Sequence, residues 1–466
     1  MGVEETRAPG ADTMSGSDAL LWTISSDPVM RPTIVAIVVL DARPDWAEVR
    51  TRIAALTVAV PRLRARAVTR GLGRGRPQFV PDESFDLDTH LRRMRLAGPG
   101  SLRDVLDMAQ TMATSGFDAA LPLWEAVLVE GMGDRAALVM KVHHALIDGV
   151  GGLAVLADLF DRAPTRRAAP LDAVREPVGQ PGTAPGRPLL RSVPLLPDPS
   201  GLVTCALDAM THPVRSLGHL AAVGTSVARL MAPAGKPISS VMTGRGFRRH
   251  VEVLDFDLTD LKNAARAWGG TVNDVFVASV VRGLSLYHEQ HGATSSGFRA
   301  LMPVNVREGG ERAGGNHFVP ARFVIPVHAD VADCMAEVRK NAAQWKHAPG
   351  LALSDVMATV LSALPAVVAR NLWSSMLLGD DFCITNIPGP PFQAFLAGAG
   401  IEAIYAVSPP SGAALNVSLV SAANRACVTI TADVAAVPDS PKLAACIEDG
   451  FAEVCSARLP DPPRST

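Results

Sequence analysis

Nine prolines between Pro164 and Pro199 constrain how this chain can fold. Proline lacks a backbone N–H and fixes φ near −65°, so a run this dense excludes both a helix and a central strand. We therefore interpret residues 163–245 as a proline-rich linker and helical connector between one unit at residues 1–162 and another at residues 246–466. A chain of 466 residues is long enough for two such units, since domains typically have about 150 residues.

Strand-like and helix-like segments alternate on both sides of the linker, which predicts the α/β fold class. The predicted strands are residues 33–40 (TIVAIVVL), 124–130, 136–144, 250–258, 298–306, 318–329 and 427–436. The predicted helices begin near residues 18, 46 and 271. The connector at residues 201–231 also has helical apolar spacing, which favours packing on a core, with contact to lipid as the alternative.

Charge and cysteine content exclude several classes of protein. The 44 basic and 46 acidic residues give a net charge of −2, so no general attraction to nucleic acid is expected. The six cysteines form no CxxC pair and suit reduced core positions, and the N-terminus MGVEETRAPG does not resemble a signal peptide. No apolar run reaches the roughly 18–20 residues of a membrane span, so a cytoplasmic protein is expected.

The segment VHHALIDG, residues 142–149, is the main candidate for chemistry. A neutral imidazole can take a proton near pH 7. Adjacent strand residues point to opposite faces, so one of His143 and His144 should face a cleft and the other the interior. Asp148 and Gly149 would then bend the chain back, the glycine permitting a conformation that other residues resist.

Two alternatives to this interpretation remain. The first is a satisfied core histidine beside an ordinary Asp-Gly turn, although the full pattern is rare by chance. The second is a metal site, which is disfavoured because His144 and Asp148 lie on a strand and a loop and no third ligand is close in sequence. We therefore predict no metal, and the absence of GxSxG disfavours a serine hydrolase.

HHxxxDG at residues 143–149 resembles the signature of the chloramphenicol-acetyltransferase-like acyltransferases. Other blocks resemble the bacterial wax ester synthase/diacylglycerol acyltransferases within that superfamily. These blocks are Pro122–Trp124, Asn273–Asp274, Pro303–Arg307, Gly315–Asn316 and Thr385–Pro390. Gly16 stands where the family usually has proline. Asn305 stands where it usually has serine, and is expected to bear on substrate choice.

This resemblance implies two α/β lobes with a tunnel at their interface, which acyl-CoA and an alcohol enter from opposite sides. The donor would be acyl-CoA as a substrate, with no cofactor, and the acceptor diacylglycerol or a long-chain alcohol. His144 would be the general base, and His143 and Asp148 would complete the catalytic motif. Asp148 and Gly149 would be structural. The Asp148 carboxylate would pair with Arg64 or, as alternatives, with Arg62 or Arg66.

The resemblance also places Leu123, Trp124, Asn305 and Asn386 along the substrate tunnel. Asn273 and Asp274 would support the site, but Thr271 and Asp274 equally fit a helix capping box. By composition alone, residues 386–390 are typical of a tight turn. The basic cluster at residues 245–249 fits either CoA phosphates or a solvated surface.

Two other functions stay open from the sequence. One is a condensation-type catalyst that uses carrier-protein thioesters, and the other is a non-catalytic lipid-binding relative. An apolar substrate favours peripheral association with the inner face of a membrane or with a lipid-droplet surface, although a mean hydropathy of +0.20 also fits a large core. The sequence leaves the oligomeric state, the acyl chain length and the preferred acceptor open.

Overall fold

A computed structural model describes residues 12–69, 77–147, 152, 155–164, 235–305, 318–328, 330–346, 358, 361–362, 364, 366–409 and 411–456. Several predictions lie outside these residues. They concern Asp148, Gly149, the block at residues 315–316 and most of the linker and connector.

The first part of the chain alternates helices and strands as its sequence pattern predicts. Its elements are β1 (Asp12–Thr13), α1 (Gly16–Ile24), β2 (Thr33–Leu40), α2 (Trp46–Ala59), a 3₁₀ turn (Pro61–Arg64), β3 (Ala65–Val68), β4 (Gln78–Pro81), α3 (Leu87–His90), β5 (Leu91–Arg95), α4 (Leu102–Thr114), β6 (Trp124–Met132) and β7 (Arg135–His143). Side-chain caps fix the helix starts: Ser15 accepts from the Asp18 backbone N–H, and Asp45 accepts from the first turn of α2.

The second part follows the same pattern. Its elements are β8 (Arg249–Asp257), α5 (Leu258–Ala267), α6 (Val272–Gln290), β9 (Gly297–Asn305), β10 (Phe318–Pro326), α7 (Val331–Lys346), α8 (Ala366–Leu377), β11 (Phe382–Pro388), β12 (Phe395–Leu396), β13 (Ala399–Val407), β14 (Leu415–Ala422), β15 (Arg425–Asp433) and α9 (Ser440–Ser456). Helices α6 and α9 pack so closely that a Cβ on Gly283 would lie 2.5 Å from the Ile447 Cα. The α/β class is confirmed.

Two six-stranded sheets form the framework. The first sheet has the strand order β12-β13-β2-β7-β6-β5, and the second has the order β10-β9-β11-β14-β15-β8. Strand β13 pairs antiparallel with β2, from Ile401 opposite Leu40 to Val407 opposite Val35. The boundaries at residues 162 and 246 remain predictions, but residues 395–407 do not fit a contiguous second lobe. They complete the first sheet because the apolar edge of β2 needs a hydrogen-bonding partner.

The predicted β6–β7 hairpin is present, and its glycines serve the turn. Gly131 has φ +103° and Gly133 has φ +68°, in the region that favours glycine. The register shifts between Glu130 and Met132, which makes Gly131 a bulge. The hairpin brings β7 to its end at His143, beside the start of β2.

The two sheets share apolar cores. On one face of the first sheet, Val35 and Ile37 pack in a cluster that includes Val251 and Cys427 of the second sheet. The Tyr405 hydroxyl in β13 donates to Asp255 in β8 at 2.7 Å, and Arg103 in α4 donates to the Val251 carbonyl at 2.8 Å. The opposite face of the first sheet is where the candidate site lies.

Candidate active site

His143 and His144, at the end of strand β7, lie in different environments. His143 is the last residue of the strand and is 1% exposed. His144 is half-buried, and its backbone N–H donates to the Pro32 carbonyl at 2.8 Å, which anchors it beside the start of β2. His144 lines a cavity between the two sheets, whereas His143 does not. This placement agrees with the expectation that the two rings face opposite sides.

Both ring nitrogens of His143 are used inside the protein. Nδ1 accepts the Ala145 backbone N–H at 3.0 Å, and Nε2 lies 2.6 Å from the Ser25 hydroxyl oxygen. The Ser25 hydroxyl itself donates to the Leu21 carbonyl at 2.8 Å. Since a hydroxyl has only one hydrogen, Nε2 must donate to Ser25, and the ring is the neutral Nε2–H tautomer.

The surroundings of His143 oppose protonation. Burial, and to a smaller extent the neighbouring His144, lower the pKa of His143 from 6.5 to about 3. The edges of Trp22 and Phe117 pack on the ring, with centroid distances of 5.9 and 5.7 Å. This geometry leaves His143 no nitrogen with which to act as a base, so we interpret it as a positioning residue for His144, in contrast to its predicted place in the catalytic motif.

A cavity of about 280 Å³ lies between the two sheets, and His144 is on its wall. The first part of the chain contributes Leu21, Ile24, Met30, Ile34, Met140 and Val142, and the second contributes Leu301, Trp373, Leu377, Cys383, Ile387 and Val420, among others. None of the described lining residues is Asp, Glu, Lys or Arg. His144 is therefore the ionisable base in a largely apolar chamber, as expected of a site for lipid chains.

Leu123 and Trp124 are not on the wall of this cavity, contrary to the tunnel prediction. They are 0% and 1% exposed, and Trp124 stacks on His90 with a centroid distance of 4.8 Å. The Trp124 indole N–H donates to the Leu63 carbonyl at 2.7 Å, and Leu63 does line the cavity. Trp124 thus supports the wall from behind, because its N–H needs a partner when the ring is buried.

Asn386 does line the cavity, but not in a tight turn. It lies in β11, which pairs in parallel with β14, Asn386 being opposite Leu419. The turn prediction is therefore wrong for residues 386–388, because pairing with β14 holds this segment in the sheet. Asn305 ends β9 opposite Phe318, and its predicted role in substrate choice stays a prediction.

Asn273 and Asp274, which were predicted to support the site, do not line the cavity. Asp274 accepts from the Thr271 backbone N–H at 2.7 Å, while the Asp274 N–H donates to the Thr271 hydroxyl at 3.2 Å. This is a capping box at the start of α6, which favours the structural interpretation. The Asn273 amide lies 3.9 Å from the Met302 sulfur, next to the β9 residues of the cavity wall.

Arg64 remains the candidate partner for Asp148. Its Nε donates to the Thr57 hydroxyl at 3.0 Å and its guanidinium lies 5.0 Å from the Phe85 ring centroid. Arg62 instead pairs with Asp12 and Asp18, and Arg66 lies 3.6 Å from Asp82. Those two alternatives are therefore engaged elsewhere, and the Arg64–Asp148 pair stays a prediction.

The basic cluster at residues 245–249 is largely internal. Arg245 donates to the carbonyls of Gly412 at 2.7 Å and Asp380 at 2.9 Å. Arg249 is 7% exposed and pairs with Asp433 at 3.0 Å. These contacts hold the chain segment that enters β8, and of its three arginines only Arg248 is exposed.

Several residues of the site escaped the sequence reasoning. Ser25 holds His143, and Cys383 and Asn416 line the cavity. Burial raises the pKa of the Cys383 thiol to about 12, which favours the protonated thiol over the nucleophilic thiolate. A lone serine after a helix carries no signal in sequence; only the folded chain brings Ser25 to His143, 118 positions away.

Solved structures share this architecture. A wax ester synthase/diacylglycerol acyltransferase from Marinobacter aquaeolei VT8 matches with a TM-score of 0.62 at 20% identity, covering 95% of this chain and 98% of that one. The first condensation domain of the calcium-dependent antibiotic synthetase matches with a TM-score of 0.60 at 17% identity, covering 96% of this chain and 100% of that one. The chain therefore has the two-lobed fold that these two classes of protein share.

Sequence comparisons narrow the class to a family. The family model for the wax ester synthase/diacylglycerol acyltransferase catalytic domain matches residues 14–276, and that for the WS/DGAT C-terminal domain matches residues 314–454. A putative diacylglycerol O-acyltransferase of Mycobacterium tuberculosis H37Rv is 34% identical over 457 residues, covering 95% of this chain and 92% of the relative. A probable diacylglycerol O-acyltransferase of the same strain is 28% identical, covering 84% and 87%. This chain belongs to the wax ester synthase/diacylglycerol acyltransferase family and is an acyltransferase.

Proposed function

We propose that the protein transfers a fatty acyl group from acyl-CoA to the hydroxyl of diacylglycerol or a long-chain alcohol, with His144 as general base. The observation that carries the proposal is the position of His144 on the wall of an apolar cavity between the lobes, while His143 is fully hydrogen-bonded behind it. The names of the relatives support the acceptor class.

The chemistry follows from these positions. The His144 imidazole takes the proton of the acceptor hydroxyl as the oxygen attacks the thioester carbonyl, which forms a tetrahedral oxyanion. Collapse of that oxyanion breaks the C–S bond, and the departing CoA thiolate takes the proton from His144. The ester and CoA thiol are the products, and no covalent acyl-enzyme is needed. The apolar lining keeps water from competing with the alcohol.

The first test is His144→Ala, assayed with labelled acyl-CoA and either diacylglycerol or a fatty alcohol. Loss of a general base lowers the rate by about 10² to 10⁴-fold, and the melting temperature should stay near the wild-type value. His291→Ala is the matched control, because His291 lies outside the cavity lining and pairs with Asp439 at the end of α6. A folded His144→Ala protein with wild-type turnover would overturn the proposal.

The same assay separates the two alternative functions. A condensation-type catalyst would prefer a carrier-protein thioester over acyl-CoA, and a lipid-binding relative would show no turnover with either. Family membership across most of the chain supports the acyl-CoA reaction. Because both substrates carry long apolar chains, the proposal includes peripheral association with a lipid surface.

A further inference from the structure

Helix α8 exposes apolar side chains along one side. Val367, Val368 and Leu372 are 59%, 43% and 40% exposed, and Leu378, just past the end of the helix, is 38% exposed. With 3.6 residues per turn, residues 367, 368 and 372 fall within an arc of about 140° on one side of the helix, which also carries the exposed polar residues Asn371 and Ser375. We call Val367, Val368, Leu372 and Leu378 the α8 stripe. Isolated exposed apolar residues are ordinary, but a stripe on one helix marks an interaction surface.

The opposite side of the same helix faces the candidate active site. Trp373 and Leu377 are 8% and 1% exposed, and both line the cavity. Helix α8 packs against α1, which contributes Leu21 and Ile24 to the same wall. One helix, about 10 Å in diameter, therefore separates the α8 stripe from the cavity.

The charges around the α8 stripe are positive. Helix α8 contains no Asp or Glu and carries Arg370. At its C-terminal end, Arg299 donates to the Gly379 carbonyl at 2.7 Å and to the Lys236 carbonyl at 2.9 Å, which places Lys236 beside this end. The adjacent acids Asp380 and Asp381 are 0% exposed, so they present no charge to the outside.

We infer that the α8 stripe docks on an anionic phospholipid surface. An apolar helix face flanked by Lys and Arg is the composition that binds in the interface of such a surface. Helix α8 has 12 residues, about 18 Å, against a hydrocarbon core of about 30 Å, so it lies in the plane of the surface. Within the described residues, no helix is long and apolar enough to cross a membrane.

This inference rests on the proposed function, because it assigns to the cavity a source of apolar substrate. A second copy of the chain is the competing occupant. Four side chains fall well short of the roughly 800 Å² per partner of a standard protein interface, and the flanking cations would meet each other across a symmetric dimer. The positive surroundings therefore favour lipid over self-association.

The experiment measures vesicle binding by the full-length protein. The variant carries Val367→Ser, Val368→Ser and Leu372→Ser, and the vesicles are phosphatidylcholine with or without phosphatidylglycerol. Removing this apolar area is expected to lower the partition coefficient on the anionic vesicles about 100-fold. The control carries Val58→Ser and Met94→Ser, which replace exposed apolar residues outside the stripe and should bind as wild type does.

A second arm tests the charges. Lys236→Gln with Arg370→Gln should weaken binding to the phosphatidylglycerol vesicles about 10-fold and leave binding to pure phosphatidylcholine unchanged. Added salt should reduce wild-type binding in the same way, because a surface interaction is screened. Equal binding of wild type to both kinds of vesicle would overturn the anionic assignment.

Turnover separates this inference from the proposed function. With a short-chain acyl-CoA and a water-soluble alcohol, the stripe variant should keep wild-type turnover, but it should lose turnover on diacylglycerol in anionic vesicles. Wild-type vesicle binding that depends on the stripe, without turnover on any substrate, would overturn the function and support the docking surface. A folded stripe variant that binds vesicles as well as wild type would overturn the docking surface. The same conclusion would follow if the wild-type protein were a dimer and the stripe variant a monomer, with equal vesicle binding by both.

Discussion

His143 shows how a residue without direct contact to substrate can control a site. Its ring ties the end of α1, through Ser25, to the Ala145 backbone beside His144. A proton on Nδ1 would face the Ala145 N–H and break this arrangement. Because the bond from the Ala145 N–H needs the neutral ring, acid should loosen the backbone that carries His144 before it disturbs the rest of the fold.

We expect His143 to make stability depend on pH. In the unfolded chain the ring binds a proton below its ordinary pKa of 6.5, whereas in the folded chain it does so only near pH 3. Between these values the unfolded state holds more protons, so the free energy of unfolding falls as pH falls, by about 1.4 kcal/mol per pH unit. Denaturant unfolding at pH 5 and pH 7 should show this loss for wild type and a smaller one for His143→Gln. Identical pH slopes for the two proteins would contradict the assignment.

At the scale of the elements, sequence pattern predicted seven of the fifteen described strands and the starts of α1, α2 and α6, but not which strands pair across long stretches of sequence. The β6–β7 hairpin was predictable because alternation and glycines act within 20 residues. Strand β11 was missed because Asn386 and Pro388 are poor strand formers, a preference that the pairing with β14 overrides. Likewise, the alternation expected of a strand end was enough to predict different environments for His143 and His144, whereas Ser25 and the cavity depend on long-range packing.

The start of α6 offers a test of the Asn273–Asp274 block. Thr271→Ala removes the side-chain cap and should lower the free energy of unfolding by about 1 kcal/mol, with Thr271→Ser restoring it. Turnover per folded molecule should be unchanged, because neither Thr271 nor Asp274 lines the cavity. If Asp274→Ser abolished turnover without shifting the melting temperature, the block would act in the chemistry.

At the scale of the whole molecule, the two sheets are joined on one side and separated on the other. Val251 and Cys427 pack into the core of the first sheet, and Tyr405 reaches Asp255 across the junction. On the opposite face, the cavity carries His144 between the sheets. The shared core makes the two parts a single frame for the site, so substrate binding need not first bring them together.

The late position of strand β13 in the sequence determines when strand β2 can be covered during synthesis. Strand β2 lies between β7 and β13, and its sequence TIVAIVVL leaves the ribosome more than 350 residues before β13 does. Until residue 407 emerges, β2 is an uncovered, apolar, uncharged edge, the kind of segment that pairs with other chains. Residues 1–245 expressed alone should aggregate, and co-expression with residues 246–466 should recover soluble complex. A soluble, monomeric, folded N-terminal fragment would contradict this. The C-terminal half of the protein thus acts as an intramolecular chaperone for the N-terminal half during synthesis.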